Sequence, residues 1–157
     1  MTTIRRATPT DLDPINAVLG VVWPGAIAGA AELEDPLHIV LVAELDGRVV
    51  GCVAGNLVRT LGRWNAYTSR LAVHPDARGQ GIATLLMQCI TSELDRFARE
   101  HNQEILVLGT IRGDRTGSRL AHIRAGWKQY AAASTDPKGW DLFGRFVGIE
   151  WPDGGIA

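Results

Sequence analysis

The sequence predicts a mixed α/β fold, a central and mostly antiparallel sheet flanked by helices. Three observations carry this. First, a strand, a glycine-rich turn, a long amphipathic helix and a second strand run from Leu71 to Leu108. That order implies a right-handed crossover with two parallel neighbours at the sheet centre. Second, an antiparallel meander precedes this unit, turning at Asp46-Gly47. Third, a hairpin pattern follows Trp127. No repeat or linker-like stretch divides the 157 residues, so one domain spanning 1–157 is expected.

Ile4 to Ala7 reads as a short strand. Thr8-Pro9-Thr10-Asp11 resembles a capping box with Pro at the first helical position, and Leu12, Ile15, Val18, Leu19 and Val22 follow at helical spacing; Pro14 leaves a start at Asp13-Pro14 as the alternative. Trp23-Pro24-Gly25 breaks that helix, and Ala26 to Leu33 forms a second one, ended by Glu34-Asp35-Pro36. His38 to Leu45 and Arg48 to Gly55 are the first two meander strands, the latter extended through Leu57-Val58. The chain turns again at Leu61-Gly62-Arg63, and Trp64 to Val73 is the third strand. His74-Pro75-Asp76 stops it, because proline cannot continue a ladder. From Ile82, the apolar positions Leu85, Leu86, Cys89, Ile90, Leu94 and Phe97 mark a helix ending near His101. Ile105 to Leu108 is a short apolar strand, and Ser118 to Ala125 a short helix closed by Gly126. Trp127 to Ala133 and Trp140 to Trp151 make the last hairpin around Asp136-Pro137-Lys138-Gly139, and Pro152 to Ala157 a frayed tail.

Composition narrows the function. A formal net charge of −1 offers no field for recruiting nucleic acid or a membrane surface. No apolar run is long enough to span a bilayer, and Met1 to Arg6 carries no signal-peptide core. A cytoplasmic location is the expectation. Cys52 and Cys89 lie in apolar segments and read as buried free thiols. His38, His74 and His101 show no metal-ligand spacing, so no metal is expected.

The chemistry concentrates in Arg78-Gly79-Gln80-Gly81. This loop enters the long helix without a Ser, Thr, Asp or Asn cap. The first N–H groups of the helix therefore lack a side-chain partner, and an anion can serve them. A P-loop would need Lys-Ser/Thr after the second glycine, where Ile82 stands. A dinucleotide fingerprint would need Gly or Ala at Thr84 and a βαβ unit at the start of the chain. Arg78-Gly79-Gln80-Gly81-Ile82-Ala83 instead resembles the Arg/Gln-x-x-Gly-x-Gly/Ala signature of the GCN5-related N-acetyltransferase (GNAT) family. The flanking Leu-Ala-Val-His-Pro, Leu85-Leu86 and the whole element order are similar too.

The resemblance implies the GNAT fold, with splayed central parallel strands, and acetyl-CoA as cosubstrate. The backbone N–H groups of Arg78, Gly79, Gln80, Gly81, Ile82, Ala83 and Thr84 would hold its pyrophosphate, and Leu71, Ala72 and Val73 would pair with the pantetheine arm. A backbone N–H of that strand would polarise the thioester carbonyl. The acceptor would be a primary amine, attacking directly in a ternary complex. Many members carry a tyrosine acid four residues before the last Gly-aromatic pair; here that position is His122, either a substitute acid through its imidazolium, a sign that water does this work, or a polar residue on a half-exposed helix. Where many members place a carboxylate base, this chain has Tyr67, with Ser69 on the same strand face. Either Tyr67 or Ser69 could line the acceptor pocket instead, and Trp23 lies where members shape it. Glu44 and Asp114 are further carboxylates that could approach the cleft, and Arg112 and Arg115 could meet coenzyme phosphates or an acidic acceptor. Similarity of Gly113 to Phe146 with small-molecule members favours a small-molecule amine. A protein N-terminal or lysine acetyltransferase and a catalytically silent acetyl-CoA-binding module stay open. Members are often dimers, which makes a homodimer an expectation.

Overall fold

The computed structural model describes residues 1–132 and 139–148. In chain order its elements are β1 (Thr2–Arg6), α1 (Leu12–Val22), α2 (Ala30–Glu34), β2 (His38–Leu45), β3 (Arg48–Thr60), β4 (Arg63–Val73), α3 (Ile82–Glu100), β5 (Ile105–Arg112), α4 (Thr116–Arg124), β6 (Lys128–Ala131) and β7 (Trp140–Val147). The strands form one mixed sheet in the order β1-β2-β3-β4-β5-β7-β6. The turn expected at Asp136-Pro137-Lys138, the end of the last strand at Trp151 and the tail from Pro152 lie outside the described residues. No helix among the described residues is long and apolar enough to cross a membrane.

Local chemistry explains the first half. Asp11 accepts from the Thr8 backbone at 2.7 Å and closes the box before α1. Arg5 donates to the same carboxylate and holds its pKa down at about 2. Pro14 sits in the first turn of α1, where its missing N–H has no intrahelical partner to lose. Ile15, Val18, Leu19 and Val22 then pack on Val42, Cys52 and Ala72 on one face of the sheet. The second helix is shorter than the expected Ala26 to Leu33. The Asn16 side chain takes both the N–H and the carbonyl of Ala28, at 2.7 and 3.2 Å, and keeps residues 26–29 out of a helix. The Asp46-Gly47 and Leu61-Gly62 turns have positive φ at both residues, as two-residue hairpins require.

On the other face, α3 buries Leu86, Met87, Ile90 and Leu94 against Leu41, Val53, Val107 and Phe143. Trp127 joins this core, and its indole N–H donates to Thr91 Oγ1 at 3.1 Å. In the final hairpin β7, not β6, lies beside β5.

Two irregularities in β4 position the site. Its parallel pairing with β5 is confined to Ala66↔Val107 and Tyr67↔Leu108, while its pairing with β3 continues to Val73. Beyond Tyr67 the two central strands splay apart. Within the splay, Arg70 and Leu71 together face Val53, because Cys52 pairs with Ala72 and Ala54 with Ser69. This is a β-bulge, and Arg70 sits in it at φ +56°. The bulge reverses the side-chain alternation: Ala66 faces the α3 layer before it, and Leu71 and Val73 face that layer after it.

Candidate functional site

Two side-chain bonds hold the loop from His74 to Gly81 to the end of β4. His74 Nδ1 accepts from the Asp76 N–H at 3.3 Å, and Arg78 Nε donates to the Val73 carbonyl at 3.2 Å. Gly79 and Gly81 have φ near +77° and +76°, and no side chain caps α3. A Cβ at either glycine would meet nothing within 4 Å. The glycines therefore answer a backbone need, left-handed conformation and open approach to the helix N-terminus, and not a packing one.

A groove of about 580 Å³ runs from this loop along β4 to α4. Leu71, Val73, Arg78, Gly79, Gly81, Ile82, Ala83 and Thr84 line it, eight of the ten residues expected on the donor side. Ala72 points the other way, into the cluster under α1, and Gln80 is exposed outside the lining. The first turns of α4, with Thr116, Gly117 and Ser118, form the opposite wall.

A smaller chamber of about 60 Å³ opens from the splay between β4 and β5. Three of the residues expected at the acceptor and proton-handling side, Trp23, Ser69 and His122, line it together with Thr68, Met87, Thr110, Arg112, Arg115, Ser118 and Trp140. Ser69 Oγ accepts from Asn56 Nδ2 at 3.3 Å. Gly109 lets the strands approach: a Cβ there would lie 2.7 Å from Thr68 Oγ1 and 3.7 Å from His122 Nε2.

His122 is buried, edge-on to Trp127 at 5.3 Å and tilted to Phe143 at 5.8 Å. Its Nδ1 lies 2.8 Å from the Ser118 carbonyl, which only accepts, so Nδ1 carries the proton and Nε2 keeps a lone pair. Burial pushes its pKa down to about 4 against that hydrogen bond. Burial therefore disfavours at neutral pH the imidazolium that an acid role would use.

Other expected residues lie elsewhere. Tyr67 is half exposed, outside the chamber lining, at the point where β4 and β5 are still paired. Neither its catalytic nor its acceptor-binding expectation finds it in the chamber. Glu44 is tied to Arg5 at 3.0 Å on strand β2, away from the splay. Asp114 pairs with Arg112 at 2.5 Å and lines the groove. Burial raises the Cys52 thiol to about 12 and also raises that of Cys89, so neither is a ready nucleophile. Among the described residues no cluster of His, Cys, Asp or Glu is placed to hold a metal.

Several lining residues escaped the sequence reading. Thr68 and Thr110 carry no motif. Ser118 could have been found from its place one helical turn before His122. Trp140, the first residue of β7, carries no motif either and is about half exposed at the chamber. Arg70 escaped because its pairing with Glu32 on α2 joins residues far apart in sequence.

Comparison with known proteins adds the family. The model of the acetyltransferase (GNAT) family matches residues 16–127. Comparison with curated protein sequences gives no significant match. Among solved structures, an acetyltransferase of the GNAT family from Streptococcus pneumoniae is 17% identical, with a TM-score of 0.72 over 94% of this chain and 100% of that one. A putative acetyltransferase from Salmonella typhimurium, solved with its cofactor acetyl-CoA, is 23% identical, with a TM-score of 0.66 over 92% and 91%. The ribosomal-protein-S18-alanine N-acetyltransferase from Escherichia coli is 14% identical, with a TM-score of 0.68 over 98% of both chains. These likenesses share the seven-stranded fold, and the family match covers the signature loop, the splay and His122. The chain belongs to the GNAT acetyltransferase family and is an acetyl-CoA-dependent acetyltransferase.

Proposed function

We propose that the chain acetylates the primary amine of a small molecule by direct attack in a ternary complex. One observation carries this reading: the groove and the chamber share Trp23, Leu71, Arg115 and Ser118, so a donor and an acceptor meet there, and the chamber is only about 60 Å³. That volume suits a small amine better than a peptide. Bound acetyl-CoA would supply a thioester carbonyl to which the amine adds, the C–S bond then breaking with release of the thiolate.

The residues divide the work as follows. The N–H groups from Arg78 to Thr84 bind the pyrophosphate at the start of α3, with the helix dipole adding to them. The free edge of β4 at Leu71 to Val73 pairs with the pantetheine arm as an added strand would. A backbone N–H on the β4 edge that β5 leaves open serves the developing oxyanion. Trp23 and Ser69 shape the acceptor side. Neutral His122 keeps Nε2 as an acceptor and is not assigned the proton. The amine nitrogen gives up its proton through water, and the thiolate takes one up the same way. Catalysis here is mainly positioning. The free thiols of Cys52 and Cys89 fit a reducing, cytoplasmic setting.

The test is calorimetric titration with acetyl-CoA, then a thiol-release screen against amino acids, amino sugars, polyamines and peptides. Binding and turnover with a small amine support the reading. Turnover on peptides alone transfers it to a protein acetyltransferase. Tight binding without turnover makes the chain a silent binding module, and no binding up to millimolar donor removes the donor reading itself.

A further inference from the structure

The chamber is lined by three arginines, Arg70, Arg112 and Arg115, and by no carboxylate. The three are not equivalent. Arg70 is doubly hydrogen-bonded to Glu32, which neutralises it. Arg112 is paired with Asp114, yet its Nε is buried without a hydrogen-bond partner. Arg115 has no carboxylate partner among the described residues; Nη2 lies 3.5 Å from the Val22 carbonyl, and the guanidinium sits 5.9 Å from the centre of the Trp23 ring. Its backbone is fixed, the N–H donating to the Arg112 carbonyl at 3.0 Å and the carbonyl accepting from Arg119 at 3.0 Å. A half-buried guanidinium held against an aromatic face, with most of its donors unused, is organised to receive an anion.

Resting on the function proposed above, we propose that the acceptor amine also carries an anionic group, a carboxylate or a phosphate, which seats on Arg115 with Arg112 beside it. The coenzyme's own phosphates are the competing occupant. They belong at the α3 N-terminus by Gly79 and Gly81, whereas Arg115 shares its lining with Leu71 and Ser118 at the junction with the chamber. The anion on Arg115 is therefore the acceptor's. The same cations disfavour a second positive charge in the chamber, so diamines are poor acceptors. They also favour the neutral, nucleophilic form of a nearby amine, which helps a site that has no carboxylate base in its lining.

The experiment compares the whole protein with its Arg115→Gln, Arg115→Lys and Arg112→Gln variants, each checked for an unchanged melting curve. The probes are L-amino acids, their carboxamides, O-phosphoethanolamine and 1,4-diaminobutane, read by kcat/KM in the thiol-release assay, with acetyl-CoA affinity measured separately. The wild type is expected to prefer the acid over its carboxamide by about 10- to 100-fold, the range for hydrogen bonds to a charged group. Arg115→Gln is expected to erase that preference and leave acetyl-CoA affinity within about threefold, with Arg115→Lys between them and Arg112→Gln lowering it in part. Preference for amino acids identifies a carboxylate, and preference for phosphoethanolamine a phosphate. Equal use of carboxamides or diamines by the wild type overturns the proposal. So does a loss of acetyl-CoA affinity in Arg115→Gln with the charge preference intact. If acetyl-CoA binds but no amine of any charge is acetylated, the function reading fails first and takes this one with it.

Discussion

Gly81→Glu isolates the charge logic of the donor groove. Gly81 caps α3 at φ +76°, in open space. Any L-residue there costs about 1–2 kcal/mol in backbone strain, so the informative comparison is Gly81→Glu against Gly81→Gln. The two side chains share size and strain and differ in one negative charge beside the uncapped N–H groups. Two unit charges about 4 Å apart repel by about 4 kcal/mol at an effective dielectric near 20 and about 1 kcal/mol in water. Gly79 and Gly81 are exposed, so an intermediate value near 2 kcal/mol applies, or about 30-fold in affinity. Titration calorimetry with acetyl-CoA is expected to show Gly81→Glu binding about 30-fold more weakly than Gly81→Gln, with the gap shrinking in about 0.5 M salt. Equal affinities for the two variants would show that no phosphate sits at this helix start.

Two shorter predictions address the chamber. Because His122 has a folded pKa of about 4 against 6.5 when free, the unfolded chain binds the extra proton between those values. Wild-type stability should then fall as pH drops from about 6.5 to about 4, by up to about 3 kcal/mol; His122→Phe should flatten the urea-midpoint curve in that window, and an equally steep curve would refute the buried neutral imidazole. Gly109→Ala brings a methyl to 2.7 Å from Thr68 Oγ1 and should cost about 1–3 kcal/mol in urea unfolding, most of it recovered in the Thr68→Ala double variant.

What the sequence made legible was local. Asp46-Gly47 and Leu61-Gly62 carry their turn chemistry in two residues each, and α3 carries its period in its apolar positions. The donor side followed because a helix start without a cap is itself a sequence feature. The acceptor side was illegible because its determinants are long-range. Arg70 is no usual occupant of positive φ, and no glycine or proline marks the bulge; the salt bridge to Glu32 brings α2 onto it. The same blindness bears on three residues the sequence offers for the chemistry. Family spacing along β4 points to Tyr67, but the position where β5 leaves β4 decides what the chamber sees. His122 has a titratable side chain, and its burial beside Trp127 and Phe143 disfavours the charged form. Glu44 looked available because its partner Arg5 lies 39 residues away.

The splay leaves backbone groups of β4 after Tyr67 without a ladder partner on the β5 side. Open strand edges are costly when dry and adhesive when wet, so a fold keeps one only where something else completes it. Here the segment is held by its other edge, through β3 and the bond from the His74 N–H to the Val50 carbonyl at 2.8 Å, and by Leu71 and Val73 packed against the α3 layer. The edge is therefore rigid before any ligand arrives, and a strand-like ligand gains its hydrogen bonds without ordering β4. Hydrogen exchange should register this. Saturating acetyl-CoA, at about 100 times its Kd, stabilises the whole fold by about 2.7 kcal/mol, and amides of residues 68–73 should gain protection beyond that global increment along with those of 78–84. Protection at 78–84 with none beyond the global increment at 68–73 would mean that the phosphates bind but the arm does not pair with β4, and the open edge would then need a different occupant.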